Sequence, residues 1–235
     1  LLFEDMTLRA PLQSGEAARV LQIGRTRVAL DEGRLWHGEA LIKDITLDDV
    51  ILRLSENAKA PGVFNYHALR PDWSLEEIEK PELLPSVRIN SAVIELGMHV
   101  RNAYLEKGRR RVAGYMHPSP DGGGTYTFEL GELDENGVSL GEDGVFIKGQ
   151  WNIQTLAHHA RIDGLALDER ALAMCPQMAR IWWERMGLEG RVAYATVERT
   201  SEGPFTVELH VDEVALTIPI GPEDFWAYYR EGRVE

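Results

Sequence analysis

Cysteine is almost absent from this sequence. Cys175 stands alone among 235 residues, so the chain can close no internal disulfide and assemble no thiolate zinc site. Basic residues are also in short supply, 25 Lys and Arg against 38 Asp and Glu, for a formal charge of −13. A phosphate backbone would meet net repulsion, which argues against nucleic acid as a partner. Long hydrophobic runs are missing too. Every window of about 20 residues, the length needed to cross a bilayer as a helix, is broken by charge, and Arg180, Glu184 and Arg185 interrupt even the Trp182-Trp183 pair. The front of the chain lacks the charged region and small-residue cleavage site of a signal peptide, and the sequence reads as a segment of a longer chain.

Catalytic constellations are equally scarce. His158 and His159 are adjacent, and neighbouring residues of a strand face opposite ways, so the two imidazoles do not converge on one metal. The acidic pairs Asp31-Glu32, Asp48-Asp49, Asp134-Glu135 and Asp212-Glu213 read as solvated turns and bulges rather than general acid/base pairs. Asp134-Glu135-Asn136-Gly137 begins like a calcium loop but places Ser139 where the loop needs glycine. Asp121-Gly122-Gly123-Gly124-Thr125 lacks the lysine and following helix of a phosphate loop. Cys175 sits before Pro176 in an apolar helical context and reads as a buried thiol. The residues support no enzyme and imply no cofactor or metal.

What is present, with 44% hydrophobic residues to build a core, is a repeat. Ile45 to Leu54 alternates apolar and polar residues, is interrupted by Asp48-Asp49, and resumes alternating in the opposite phase. Val87 to Leu96 repeats the pattern around Asn90-Ser91, and Leu209 to Ile218 repeats it around Asp212-Glu213. Shorter copies run from Ala160 to Leu167, around Asp163-Gly164, and from Leu1 to Leu8, around Glu4-Asp5. Period-two alternation means a strand with one buried face. A polar doublet that shifts the phase by one residue means a bulge or sharp bend. Each copy therefore predicts one long strand bent at its doublet.

Further strands are predicted at Val20 to Leu30, where Arg25 and Arg27 face one way and Thr26 and Val28 the other, and at Val145 to Trp151, Gly190 to Glu198 and Pro204 to Ile220. Arg111 to Met116 and Thr125 to Leu130 form a hairpin around a glycine-rich loop. Asp31 to Gly38 is a short helical turn or loop, with Trp36 packing on the sheet end. One helical region runs from Asp168, its N-cap, to Met186, divided at Pro176 and stopped by Gly187. Its stripe of Met178, Ile181, Trp182 and Met186 is expected to dock on the sheet. The predicted fold is mainly β: a curved, predominantly antiparallel sheet of roughly 10 to 12 bent strands with one helical segment packed near 168–186. The organisation is a single unit with bent strands in 1–55, an irregular connection in 56–85 with a helical turn around Ser74 to Glu79, sheet in 86–167, helix in 168–187, strands in 188–220 and a tail in 221–235.

Met6 to Pro11, Leu21 to Val28, the connection with Gly33, Leu35 and Gly38, and the string Ile42 to Leu54, followed later by Ile162 to Glu169, Ile181 to Leu188 and Glu189 to Val192, come in a distinctive order. That order of motifs resembles the AsmA-like proteins of bacterial envelopes. The resemblance implies an inner-membrane anchor outside this segment, a periplasmic β-rich body, and kinship with TamB and the bridge-like lipid-transfer proteins, whose β-groove units form apolar channels. The acidic end, Glu223 to Tyr229, matches no pattern of that family.

The function this implies is a non-enzymatic envelope module that shields or conducts lipid acyl chains along an apolar groove in outer-membrane assembly. Three successive apolar residues in Val50-Ile51-Leu52 and Ala92-Val93-Ile94, which keep both strand faces away from water, agree with it. The expected lipid contacts are Leu52, Leu54, Ile94, Leu96, Leu216 and Ile218. The competing readings are a structural or assembly module covered by neighbouring envelope protein segments, and a carbohydrate-binding β domain with Trp73, Trp151 and Tyr126 as a platform.

Overall fold

The computed structural model describes residues 1–11, 14–68, 84–101, 103–120, 123–155, 157–175, 177–187, 189–200 and 205–215. Twelve strands are found among them: β1 (Leu2–Arg9), β2 (Arg19–Leu30), β3 (Ile42–Asn57), β4 (Ala60–Phe64), β5 (Ser86–Val100), β6 (Ala103–Pro118), β7 (Thr125–Leu133), β8 (Phe146–Asn152), β9 (His158–Asp163), β10 (Ala166–Leu167), β11 (Glu189–Arg199) and β12 (Phe205–Ala215). They form one open sheet in the order β1-β2-β3-β5-β6-β7-β8-β9-β11, with β12 on the far side of β11, β10 continuing the line of β9, and β4 attached to the end of β3. This is the mainly β, curved sheet predicted above. All pairings are antiparallel except β3 with β5, which run parallel. The irregular connection expected from residue 56 onward contains β4 and a 3-10 turn at Asn65–Ala68, while the helical turn expected near Ser74 lies outside the described residues.

The copies beginning at Leu1, Ile45 and Val87 fall in β1, β3 and β5. The copy beginning at Leu209 runs in β12 as far as Ala215, with its remainder outside the described residues, and the copy from Ala160 to Leu167 is split at Gly164 into β9 and β10 rather than bent. The doublets fall into line. Glu4 lies opposite Arg25, Arg25 opposite Asp48, and Asp48-Asp49 lies level with Asn90-Ser91 across the parallel pair. On β6 a single residue, Ala113, opposes both Asn90 and Ser91, which is the bulge that the phase shift requires. Asp5 and Asp49 take positive φ of 54° and 56°, a left-handed conformation that aspartate tolerates better than most residues. Gly24 lies between them, where a Cβ would sit 3.0 Å from that of Asp49. The line resurfaces at Gly164, with φ of 75°, between β9 and β10, and at the register shift where Glu213 of β12 meets Arg191 of β11. These positions make a crease across the sheet. Leu47, Ile89 and Leu130 on one side of it pack against Val50, Ala92 and Val112 on the other. The phase shift has therefore returned apolar residues to one face after the bend.

Helix α1 (Glu32–Leu35) links β2 to β3, with the Asp31 side chain accepting a hydrogen bond from Arg34 N at 3.1 Å. Trp36 beyond it is 90% exposed, so it is not packed on the sheet end as expected. The helical segment near 168–186 divides as predicted into α2 (Glu169–Ala173) and α3 (Gln177–Met186); Asp168 Oδ1 accepts from Ala171 N at 2.8 Å, and Gly187 has φ of 54°. The docking stripe is corrected at Ile181, which is 47% exposed; at its start α3 is tied to the sheet by the Gln177 amide, which donates to Glu56 of β3. The side chains of Met178, Trp182 and Met186 lie outside the described residues.

Where β2, β3 and the 3-10 turns meet, Asn65 is fully buried and acts as a polar staple. Its Oδ1 accepts from the Ser55 and Tyr66 amides, both at 3.0 Å, and its Nδ2 donates to the carbonyls of Arg53 at 3.0 Å and Arg19 at 3.3 Å. Asn65→Ala is expected to destabilise the fold by about 2–4 kcal/mol, since each orphaned buried group costs about 1–3 kcal/mol; urea unfolding measures it, and Asn65→Asp, which loses the donors, should also destabilise. Gly114→Ala is a second test, because a Cβ there would overlap the Glu129 carbonyl oxygen of β7. A loss of at least about 1–3 kcal/mol is expected, and an unchanged unfolding midpoint would contradict the close strand approach described here.

Candidate apolar groove

On the near side of the crease two rows of residues run across the whole sheet. The first is Phe3, Thr26, Leu47, Ile89, Gly114, Leu130, Ile147, Ile162, Ala195 and, by register, Leu209. The second is Leu1, Val28, Ile45, Val87, Met116, Phe128, Gly149, Ala160, Val197 and, by register, Val207. Neither row contains a charge. Nine strand-to-strand steps at about 4.8 Å make the strip roughly 43 Å long. Most of its side chains are half-buried; among the described ones Thr26 and Ala195 are fully buried, and Leu1 and Phe3 at the edge are exposed.

The row between them belongs to the other face and is polar beyond Leu2: Leu2, Arg27, Thr46, Arg88, Tyr115, Glu129, Lys148, Arg161, Thr196 and Glu208. Here the Tyr115 hydroxyl donates to Glu129, which holds the tyrosine above its ordinary pKa, and the Arg161 guanidinium lies 3.8 Å from the centre of the Tyr194 ring, which stacks on His210. A cavity of about 640 Å³ opens on this polar face between β3, β5 and β6, with Asp44, Ser86, Arg88 and His117 in its wall. The two faces thus differ in kind, one hydrated and cross-paired, the other aliphatic.

Beyond the crease the apolar face is closed. Glu132 on β7, almost wholly buried, accepts both Arg110 contacts at 2.7 and 2.8 Å, the Val145 amide at 2.9 Å and Arg170 of α2 at 3.3 Å. Glu56, also buried, accepts the first amide of α3 from Gln177 at 2.7 Å. Ala173 and Met174 at the end of α2 press on Gly108 of β6, where a Cβ would come within 3.1 Å of them. Two buried carboxylates and a glycine therefore seat the helical pair on this arm.

None of the expected lipid contacts that fall among the described residues lies on the open strip. Leu52 and Ile94 are neighbours in register on the apolar face, as are Leu54 and Leu96. Ile94 packs against the Val50, Ala92 and Val112 cluster. Leu96 is only 6% exposed and borders a cavity of about 180 Å³ shared with Met98, Cys175 and Gln177 of the helical pair. These four residues lie on the closed arm, and Leu216 and Ile218 lie outside the described residues. Sequence reasoning passed over the open strip, although the alternation of Val28, Ile45, Val87, Met116, Phe128 and Ile147 with polar neighbours was its signal. Of the aromatic platform, Tyr126 is buried with its hydroxyl donating to the Pro85 carbonyl at 3.0 Å, Trp151 is half-buried opposite it, and Trp73 lies outside the described residues. His158 and His159 occupy successive positions on β9 and face opposite ways.

Burial pushes the Cys175 thiol above its ordinary pKa, so the native protein should react with a thiol-specific disulfide reagent at neutral pH far more slowly than the urea-unfolded chain. Equal rates would place Cys175 outside the cavity under the helical pair. Glu132→Gln should destabilise by about 3–5 kcal/mol, the usual result of breaking a buried ion pair, measured as a shift in the denaturant midpoint. No protein-family model matches this chain, and no curated protein matches it.

Proposed function

We propose that this chain is a non-enzymatic envelope module whose apolar strip shields lipid acyl chains. The observation that carries the reading is the pair of uncharged rows running from one edge of the sheet to the other. Exposed apolar area of this extent marks a binding surface in most proteins. A patch made for a protein partner has an apolar centre and a polar rim, whereas this strip has no rim at either end, as suits a long flexible hydrocarbon laid across the strands. The contacts that the helical pair makes with Glu56 of β3, Gly108 of β6 and Glu132 of β7 all fall beyond the crease. Glycine and alanine at Gly114, Gly149, Ala160 and Ala195 lower the floor of the strip, which leaves room for a chain between the larger side chains.

The resemblance to AsmA-like proteins agrees with this function and supplies the periplasmic setting and the anchor outside this segment. Removing apolar side chains from water stabilises by about 1.5–3 kcal/mol each, so a lipid lying on several of them would be held without any hydrogen bond. The test is Ile147→Asp and Phe128→Asp, studied singly. Each is expected to leave the thermal midpoint within a few degrees while abolishing photo-crosslinking of the protein to lipid in cells and removing lipid adducts from its native mass spectrum. A collapse in stability would mean that a protein layer covers the strip, and unchanged crosslinking in a folded variant would also overturn the proposal.

A further inference from the structure

The crease patterns charge as well as shape. Within the sheet every acidic doublet in β1, β3 and β12 has an arginine opposite it in the neighbouring strand: Arg25 faces Glu4 on one side and Asp48 on the other, and Arg191 faces Glu213. Arg27 Nη2 reaches Asp48 Oδ2 at 2.9 Å, and Asn90 Nδ2 donates to Asp48 Oδ1 at 2.8 Å. Asn90 and then Arg27 hold the Asp48 carboxyl below its ordinary pKa.

β1 departs from this pairing on one side only. Its inner side is paired with β2, while among the described residues no strand lies on its outer side. All eight of its residues are exposed, including Leu2, Phe3, Met6 and Leu8, and an edge of that kind is a template for a further strand. The two apolar rows run out through Phe3 and Leu1 at this edge, and Glu4-Asp5 is the end of the crease.

A strand added there must continue the register, with apolar residues beside Phe3 and Met6 and a pair of residues at the crease beside Glu4-Asp5. A second copy of this chain does not fit. Two β1 edges would set four carboxylates together, β12 would bring Asp212-Glu213 against Glu4-Asp5, and β3, β5 and β9 are already paired on both sides. We propose that β1 is a docking edge for a strand of a separate polypeptide that carries arginine or lysine at the crease between two apolar-alternating stretches. The acidic doublets at both edges then serve a second purpose, keeping copies of this chain from stacking edge to edge. This inference does not depend on the lipid reading.

The chain itself supplies a probe, because β2 already pairs with β1 with Arg25 at the crease and Ile23 beside Met6, the one departure being Thr26 beside Phe3. A synthetic peptide of the Arg19–Leu30 sequence, titrated into isotopically labelled protein, is expected to shift the amide resonances of Leu2–Arg9 while the strands beyond β2 stay unchanged. The same peptide with Arg25→Glu and Arg27→Glu should bind roughly tenfold more weakly or worse. Glu4→Gln with Asp5→Asn in the protein keeps a residue that tolerates the left-handed conformation and should remove the difference between the two peptides. Failure of the first peptide to bind, equal binding of both to the unaltered protein, or shifts centred on the apolar strip would each overturn the proposal. The comparison of peptides on the unaltered protein decides it even if the double variant does not fold.

Discussion

The structure depends on register along a crease. In a sheet the side chains alternate faces, so a slip of one residue in any strand would turn its whole apolar set to the hydrated side. β1, β2, β3 and β5 change phase at the same level, with Asp5, Gly24, Asp49 and Ser91 marking one line across them, while β6 passes that level with the single residue Ala113. Asp5 and Asp49 accept the left-handed backbone, and Gly24 makes room for Asp49. The apolar face is continuous across the bend only because these local irregularities coincide.

The crease divides the face into arms held by different forces. One arm is closed by polar chemistry that would be costly if left incomplete: Glu132 is satisfied by Arg110, Arg170 and the Val145 amide, and Glu56 by the first amide of α3. Asn65 and the buried Ser55–His99 hydrogen bond of 2.9 Å finish the strand ends nearby. Arg53 lies over Tyr104, whose hydroxyl is pushed well above its ordinary pKa by burial, with Glu95 adding to the effect. The other arm presents two rows of uncharged, mostly half-buried side chains.

Acidity enters through linkage at the same place. Asp48 has a depressed folded pKa, so its contribution to stability is present above the unfolded carboxyl value of 3.8 and is lost as pH falls through the lower folded value. Because Asp48 ties β2 to β3 and β5 through Arg27 and Asn90, strong acid acts on the crease rather than only on solvated surface charge.

Much of this was legible in the sequence. Alternation with a phase-shifting doublet identified the strands from Leu1, Ile45, Val87, Ala160 and Leu209, because face alternation is a property of the extended backbone itself. Asp168 and Gly187 bounded the helical segment for equally local reasons, a side-chain acceptor for orphan amides and a left-handed stop. What the sequence could not determine was which strands lie side by side. The parallel meeting of β3 and β5, the seating of α3 on Glu56 across 121 positions of sequence, and the closure of the arm that holds Leu52 and Leu96 all depend on residues distant in the chain. An apolar side chain in a strand announces that one face avoids water, and only the tertiary arrangement decides whether a helix, a neighbouring strand or nothing from the described chain covers it.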